Sequence, residues 1–214
     1  PTGNLHLGSA RTALINYIIS CQNNNSKFFL RIEDTDKERS NEKFKKNIID
    51  GLSWLGIKWE PEIQIQSKRK KRHVDIANLL LEKKYAYKCN CSLEVLNKKR
   101  AEIINKKLNI KKICTTCKNN INIQNLTSNY VVRIKIPEVG STSINDNIQG
   151  EISINNDEID DYILLREDGS PTYMLSVVVD DYDIDVNYII RGDDHLNNTF
   201  RQNFIYKFLN WNIP

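Results

Sequence analysis

Few features of this chain point to a membrane, to secretion or to a strongly charged partner. No run approaches the roughly 20 apolar residues that a membrane span needs, and the N-terminus has neither a signal-peptide pattern nor an Arg-rich transit pattern. The net charge is only +4 although 27% of the residues are charged, which permits an anionic partner without requiring one. We therefore expect a soluble protein that does not contact a membrane.

An initiator methionine is also missing, because the chain opens at Pro1-Thr2-Gly3 and stops at Pro214. Both ends look cut, so we expect a piece of a longer protein. Its 214 residues suffice for one large domain or two small ones, with a core that needs no disulfides.

The first third of the chain has the pattern of an α/β domain. The apolar and aromatic run at 28–32 is typical of a buried strand, and helices are predicted from Ser40 to Gly56 and again from Ser67. A helix before the strand is indicated by apolar residues along one face, namely Ala10, Ala13, Leu14, Tyr17, Ile18 and Cys21. This spacing places Cys21 in the core.

The pattern changes near Tyr85. Four of the five cysteines and a lysine-rich stretch follow this residue, and strands no longer alternate with helices. Short strand-like runs follow at 130–136, 151–154 and 162–166. The earlier pattern returns with strand-like runs at 177–179 and 186–191 and an amphipathic helical stretch at 200–209. We predict a parallel-sheet α/β domain formed by residues 1–84 and 172–214, interrupted by an inserted α+β domain at 85–171.

The loop before the first helix carries two glycines, Gly3 and Gly8. Such a loop can bring backbone N–H groups and the positive end of a helix against phosphate, with His6 and the Ser9 hydroxyl as additional donors. The alternative is that the glycines only form turns and that His6 is a surface residue. This segment alone leaves both interpretations open.

A charged segment, 31–39, follows the first predicted strand. Ligands in open α/β sheets bind beyond the carboxyl ends of strands, so an acid and a base placed there can bind an amino group and a carboxylate. Glu33 and Arg39 are the candidates for these two roles. A solvated charged loop leading to a helix N-terminus is the alternative.

Four cysteines form two close pairs, Cys89-x-Cys91 and Cys114-x-x-Cys117. This pattern favours a Cys₄ zinc site over two disulfides. A bridge inside the short Cys-x-Cys pair is disfavoured, and nothing indicates an oxidising compartment. Four reduced cysteines without a ligand are the alternative.

Several motifs, in a fixed order, resemble those of class I aminoacyl-tRNA synthetases, and specifically the glutamyl branch. His6-Leu7-Gly8-Ser9 is similar to the His-x-Gly-x signature of the class. The match continues through Pro1-Thr2-Gly3, Ala10-Arg11-Thr12-Ala13-Leu14, Arg31-Ile32-Glu33-Asp34-Thr35-Asp36 with Arg39, Gly51-Leu52-Ser53-Trp54-Leu55-Gly56, Asp168-Gly169-Ser170-Pro171-Thr172-Tyr173, Val178-Val179-Asp180-Asp181 and Ile190-Arg191-Gly192-Asp193-Asp194-His195-Leu196. It covers nearly the whole chain.

The resemblance implies a Rossmann-like catalytic domain that forms glutamyl-adenylate from glutamate and ATP with Mg²⁺ and transfers the glutamyl group to tRNA(Glu). It assigns transition-state stabilisation to His6, Gly8 and Ser9, and ATP binding to the same three residues with Thr2 and Asp194. It assigns glutamate binding to Glu33, Arg39, Tyr173, Arg191 and His195. A guanidinium suits Arg191, because its planar fork matches a carboxylate at two points.

Some bacterial-type members of the family that resemble this chain carry a zinc knuckle in the inserted domain, which binds the acceptor arm of the tRNA. The resemblance thus supports structural zinc on the four cysteines. Basic clusters can attract phosphate, although solvated helix faces look the same; they are Lys68-Arg69-Lys70-Lys71-Arg72, Lys98-Lys99-Arg100, Lys106-Lys107 and Lys111-Lys112. We expect a monomer in a cytoplasm, or in an organelle with bacterial-type translation.

Two other functions fit the same residues. One is a glutamyl-queuosine-tRNA synthetase, a shorter paralogue; the other is a non-catalytic, zinc-bearing RNA-binding module. The family's Arg and Ser before Pro-Thr-Gly, its lysine-rich second signature and its anticodon-binding helices are not in the sequence. We therefore expect the chain alone to activate glutamate poorly.

Overall fold

A computed structural model describes residues 3–22, 25–35, 41–105, 114 and 116–214. It divides the chain into two compact units, Pro1–Lys70 with Asn187–His195 and Lys71–Val186 with Leu196–Pro214. The chain therefore leaves the first unit after Lys70 and returns to it once, at Asn187–His195. No helix in the described part of the chain combines the length and the apolarity needed to cross a membrane.

The first unit has two long helices and a small parallel sheet. Its strands pair in parallel, with Arg31 opposite Gln64 and Ile32 opposite Ile65. Two backbone hydrogen bonds extend this pairing, because Glu60 N donates to Phe28 O and Gln64 N donates to Leu30 O. The elements in chain order are α1 (Leu7–Cys21), β1 (Arg31–Ile32), α2 (Glu42–Trp54), β2 (Gln64–Ile65) and the 3-10 turns Gln66–Arg69 and Asp193–His195.

Local signals explain where α2 begins and ends. The Asn41 side chain caps it by accepting a hydrogen bond from Lys43 N at 2.8 Å. Gly56 follows the last turn with φ +77°, a conformation that glycine adopts without a Cβ penalty. Leu52 on this helix is buried with Ile32 and Ile57, and these apolar side chains provide the core of the first unit.

The second unit contains an antiparallel sheet and, among its described residues, four helices of 11 to 14 residues. A three-stranded sheet has the order β3-β4-β7, and β5 and β6 form a separate hairpin. Its elements are α3 (Lys70–Glu82), β3 (Ala86–Cys89), α4 (Leu93–Asn105), α5 (Ile121–Gln124), β4 (Val131–Ile134), β5 (Ser141–Asp146), β6 (Gly150–Asn155), β7 (Ile163–Leu165), α6 (Tyr173–Asp183) and α7 (Leu196–Leu209).

The larger of two apolar clusters in the described part of the second unit lies between its sheet and its helices. It takes side chains from α3, β4, β7, α6 and α7, among them Leu80, Ile134, Leu164, Leu175 and Ile205, which have no exposed surface. Burying a side chain of this size stabilises a fold by roughly 1.5–3 kcal/mol relative to leaving it exposed. The cluster therefore holds the helices that follow residue 172 against the sheet that precedes it.

Three predictions from the sequence were wrong. The run 177–179 is not a strand but lies within α6, where Leu175 to Asp181 are all buried. A helix buried on all sides has no polar face, so its short valine run cannot be distinguished from a buried strand by periodicity. Residues 186–191 are described but have no strand hydrogen bonds. Cys21 is exposed at the end of α1 instead of lying in the core.

Candidate active site and four-cysteine cluster

The N-terminus of α1 is closed by a reciprocal cap between His6 and Ser9. Ser9 N donates to His6 Nδ1 at 3.4 Å, and His6 N donates to Ser9 Oγ at 3.3 Å. Because Nδ1 is used in the cap, Nε2 is the imidazole nitrogen that can meet a ligand. The exposed helix end, with its partial positive charge, can then face an anion such as phosphate.

Glycine at position 8 lets the imidazole lie across the start of the helix. A Cβ at Gly8 would stand 3.2 Å from both Cε1 and Nδ1 of His6. That separation is tighter than ordinary van der Waals contact, so a side chain there would displace the ring. The His-x-Gly spacing therefore has a steric reason in this fold.

Helix α2 anchors the loop that carries His6. Leu5 N donates to Asn47 Oδ1 at 2.9 Å. One turn further along α2, a Cβ at Gly51 would stand 2.6 Å from Leu5 Cδ2, so glycine allows Leu5 to pack close to the helix. Asn47 and Gly51 thus position the loop by a hydrogen bond and by close approach.

Glu33 lies directly after β1, at the carboxyl end of the strand. Its carboxylate is 3.5 Å from the Arg31 guanidinium, and 41% of the Glu33 side chain is exposed. The next residue, Asp34, fixes the loop by accepting hydrogen bonds from Ser67 N at 2.8 Å and Ser67 Oγ at 2.7 Å. Asp34 is therefore a structural anchor, and Glu33 is the carboxylate that solvent or a ligand can reach.

A returning segment, 187–195, brings three further predicted site residues into the first unit. It is tied to α1 because Asn16 Nδ2 donates to Ile190 O at 3.2 Å, one residue before the half-buried Arg191. Asp194 and His195 follow in a 3-10 turn, where Nε2 of His195 lies 3.6 Å from Oδ2 of Asp194. Both of these side chains are largely exposed.

The predicted site residues fall into three groups. Those in the first unit are His6, Gly8, Ser9, Glu33, Arg191, Asp194 and His195. Tyr173 belongs to the second unit, where it begins α6 with 38% of its surface exposed. Thr2 and Arg39 lie outside the described residues. The assembly of all these residues into one cleft stays a prediction.

Helix α6, which begins at Tyr173, is connected to α3 by two side-chain contacts. Asp180 Oδ1 lies 2.8 Å from His73 Nε2, and both side chains are fully buried. Asp183 accepts two hydrogen bonds from the Arg72 guanidinium, at 3.0 Å from Nε and 2.8 Å from an Nη nitrogen. The end of the basic cluster 68–72 is therefore used within the protein.

The four paired cysteines meet in the second unit. Their Sγ atoms all lie within 4.8 Å of one another, and Cys89, Cys114 and Cys117 are buried. Cys114 Sγ is 3.3 Å from Cys89 Sγ and 3.5 Å from Cys91 Sγ, which in turn is 3.5 Å from Cys117 Sγ. All four are free thiols. Four sulfurs at the usual Zn–S distance of about 2.3 Å would be about 3.8 Å apart, so the cluster fits a tetrahedral zinc ion.

Two of the thiols have pKa values shifted in opposite directions. The pKa of Cys89 is lowered to about 4, mainly by the hydrogen bond it shares with Cys114, with help from the Cys91 backbone and the Arg133 guanidinium. The pKa of Cys91 is raised to about 11, mainly by burial. The same shared hydrogen bond raises the pKa of Cys114. One thiolate among protonated neighbours is a favourable starting point for binding a cation.

Comparison with known proteins places this arrangement in a family. All of residues 1–214 match the family model described as the catalytic domain of class I tRNA synthetases for E and Q, that is glutamate and glutamine. The chain belongs to this synthetase family. Membership confirms the resemblance read from the motifs and the class I catalytic domain with its mixed α/β fold and parallel sheet.

Relatives of this synthetase domain are similar over the whole chain. It is 50% identical over 214 residues to glutamate–tRNA ligase 2 of Ehrlichia chaffeensis and 44% identical over 216 residues to glutamate–tRNA ligase of Lawsonia intracellularis. Each alignment covers 100% of this chain and 45% of the relative. The chain thus spans about half the length of the curated relatives it matches.

A solved structure gives the same result. The crystal structure of a glutamate tRNA ligase from Elizabethkingia meningosepticum in complex with its amino acid superposes with a TM-score of 0.87 at 29% identity, covering 100% of this chain and 46% of that one. The structure of glutamate-tRNA synthetase from Elizabethkingia anophelis gives a TM-score of 0.83, also at 29% identity.

The residues that hold the His6 loop and helix α6 in place were not identified from the sequence. Asn47 could have been identified from the sequence, because it lies four residues before Gly51 and therefore on the same helix face. Asp180 lies within the motif Val178-Val179-Asp180-Asp181, but nothing in the sequence indicated that it pairs with His73, 107 residues away. Their pairing follows only from the packing of α3 against α6.

Proposed function

We propose that the protein containing this chain is a glutamate–tRNA ligase, which uses ATP to activate glutamate and transfers it to the 3′ end of tRNA(Glu). The observation that carries this proposal is the capped N-terminus of α1, with His6, Gly8 and Ser9 in the order of the family's signature, within a chain that matches the family from end to end. The relatives named glutamate–tRNA ligase are bacterial proteins, so the proposal includes the bacterial cytoplasm as its location.

The proposed ATP site is the start of α1. The free Nε2 of His6, the N–H groups of the first turn and the Ser9 hydroxyl would meet the phosphates, and Thr2 and Asp194 would contact the nucleotide. Charge develops on the α-phosphate as the glutamate carboxylate attacks it and pyrophosphate leaves with Mg²⁺. Donors already fixed in place stabilise this charge without a protein nucleophile.

The proposed glutamate pocket uses charges of both signs. Glu33 would bind the substrate ammonium, and Arg191 would pair with the side-chain carboxylate. Arg39, Tyr173 and His195 would complete the pocket. A guanidinium next to the substrate side chain selects glutamate over glutamine, because it binds a charged carboxylate more strongly than a neutral amide.

Aminoacylation by the full-length protein tests the proposed function. Purified tRNA(Glu), tRNA(Gln) and queuosine-containing tRNA(Asp) would each be offered with labelled glutamate and ATP, and glutamine would serve as the control amino acid. Charging of tRNA(Glu) with glutamate is expected. Transfer only to the modified tRNA(Asp) would establish the shorter paralogue, and RNA binding without adenylate formation would establish the non-catalytic module.

We also propose that Cys89, Cys91, Cys114 and Cys117 hold one structural zinc ion. The support is the clustering of four sulfurs from two distant segments, with three of the side chains buried. Zinc would supply a crosslink between β3 and the segment that follows residue 113. Metal analysis should find one zinc per chain, and chelation should lower the unfolding temperature; no bound zinc together with an unchanged unfolding temperature would contradict the proposal.

The third proposal is that residues 85–171 form an inserted domain that binds the acceptor arm of the tRNA. Two observations support it: the antiparallel sheet β3-β4-β7 lies within this range, and Lys98, Lys99 and Arg100 lie on α4. Lys106-Lys107 and Lys111-Lys112 fall outside the described residues. Glutamate substitutions at Lys98 and Arg100 should weaken tRNA binding and reduce its salt dependence. If the substituted and unmodified proteins bind tRNA with equal affinity at every salt concentration, α4 is not part of the binding surface.

A further inference from the structure

A buried carboxylate, Asp161, lies beside the four-cysteine cluster without belonging to it. Only 6% of its surface is exposed. It lies 44 residues beyond Cys117, two residues before β7, and no sequence motif in the chain includes it. A buried carboxylate is costly unless cations or hydrogen bonds satisfy it, so its partners indicate its role.

Each oxygen of Asp161 is occupied. Oδ1 accepts a hydrogen bond from Ile136 N at 3.1 Å, and Oδ2 lies 3.1 Å from the Tyr87 hydroxyl. Lys118 Nζ lies 2.5 Å from Oδ2, and only 7% of the lysine side chain is exposed. The backbone carbonyl of Asp161 also accepts a hydrogen bond from Arg133 at 2.9 Å. Asp161 is therefore the centre of a buried polar network.

This network contacts both ends of the segment that carries Cys114 and Cys117. At its start, the Tyr87 hydroxyl lies 3.2 Å from Cys114 O as well as 3.1 Å from Asp161 Oδ2. At its end, Lys118 directly follows Cys117 and pairs with the same carboxylate oxygen. Tyr87 itself precedes Cys89 by two residues on β3. Both cysteine pairs are thus connected to one carboxylate.

We infer that Asp161 is a positioning residue for the metal site. It holds the segment from Cys114 to Lys118 against β3, so that the four sulfurs are gathered before a cation binds. A site assembled in advance loses less freedom on binding, and groups outside the ligand set commonly change metal affinity by about 10- to 100-fold. This inference rests on the proposed zinc binding by the four cysteines.

Asp161→Asn tests the inference, because asparagine keeps the shape and an acceptor for Ile136 N but removes the buried charge that pairs with Lys118, which then keeps its longer pair with the exposed Glu138 at 3.7 Å. Zinc affinity would be measured on the whole chain by competition with a chromogenic chelator. We expect one zinc per chain at saturation and an affinity about 10- to 100-fold lower than that of the unmodified chain. The thiolate-to-cobalt absorption of the Co²⁺-loaded protein should change as well, which a loss of general stability would not cause.

Asp160→Asn is the matched control. Asp160 is the neighbouring carboxylate, but it pairs with Arg201 at 2.8 Å rather than with the cysteine network. Its zinc affinity should stay within about threefold of the unmodified chain, well below the change expected outside a ligand set. Equal loss of affinity in both variants would overturn the positioning role.

Tyr87→Phe provides a second variant in case Asp161→Asn does not fold. It keeps the buried ring and removes only the hydroxyl between Asp161 and Cys114, so a loss of several-fold in zinc affinity is expected. If the unmodified chain binds zinc and the folded variants bind it with the same affinity, the inference about Asp161 is wrong and the zinc proposal is retained. An unmodified chain that binds no zinc overturns both the zinc proposal and this inference.

Discussion

His73 and Asp180 form a fully buried pair, with Nε2 and Oδ1 2.8 Å apart. The pair connects α3 to α6, and the bidentate contact between Arg72 and Asp183 lies beside it on the same two helices. Because α6 begins at Tyr173, these contacts fix the helix that carries a predicted glutamate-binding side chain.

Replacing His73 should destabilise the second unit. His73→Ala removes a buried ring and the partner of a buried carboxylate oxygen, for which a loss of about 3 kcal/mol in the free energy of unfolding is expected. Urea denaturation would measure it. Lys71→Ala removes an exposed pair with Asp75 on the same helix and should cost less than about 0.5 kcal/mol. Similar values for the two variants would contradict the importance of the buried pair.

Loss of the Asn47 side chain should impair activity more than stability. Asn47→Ala removes the acceptor for Leu5 N and frees the loop that carries His6. We expect aminoacylation by the full-length protein to fall by about tenfold, because small displacements of positioned groups are costly in catalysis. The control is Lys46→Ala, at the exposed neighbouring position on α2. An activity equal to that of the control would show that the loop is held by other contacts.

Glutamate binding should require a guanidinium group at position 191. Arg191→Lys keeps the positive charge but loses the planar fork, so the KM for glutamate should rise by at least about tenfold, and Arg191→Ala should raise it further. Arg201→Lys, which changes an arginine paired with Asp160, is the matched control and should leave the KM unchanged. Full glutamate recognition by Arg191→Ala would remove this residue from the proposed pocket.

Zinc binding should release fewer than four protons at pH 7. All four thiols must be ionised as ligands, but the pKa of Cys89 is already lowered to about 4, so this thiol is ionised before the metal arrives. Cys91, with its pKa raised to about 11, is still protonated and loses its proton on binding. Calorimetry at pH 7 in two buffers of different ionisation enthalpy would count the protons. Release of four would show that Cys89 is protonated in the metal-free protein.

Much of the first unit could be predicted because its signals are local. The helical spacing at 10–21 identified α1, and Gly56 marked the end of α2. The strand at 28–32 was found at the right place but is shorter, at Arg31–Ile32. The cap between His6 and Ser9 also acts over three residues, so the order of residues in the loop is enough to indicate where the helix begins.

The second unit was harder to predict because its decisive contacts are long-range. The valines of α6 favour a strand by propensity, yet they form a helix because surrounding elements bury them on all sides. Residue spacing favoured one site formed by all four cysteines, and the sulfurs do meet, because β3 and the segment after residue 113 pack together. Asp161 had no signal at all.

From its sequence alone, this protein can be assigned to the class I synthetases for glutamate and glutamine, and its signature loop, its amphipathic helices and its four candidate metal ligands can be named. These features depend on the order of neighbouring residues, so they are present in the chain before it folds. Only the tertiary structure decided that α6 is a helix, that His73 faces Asp180 and that Asp161 joins both cysteine segments. Such contacts arise from burial, which brings together polar groups that lie far apart in the chain and requires them to find partners.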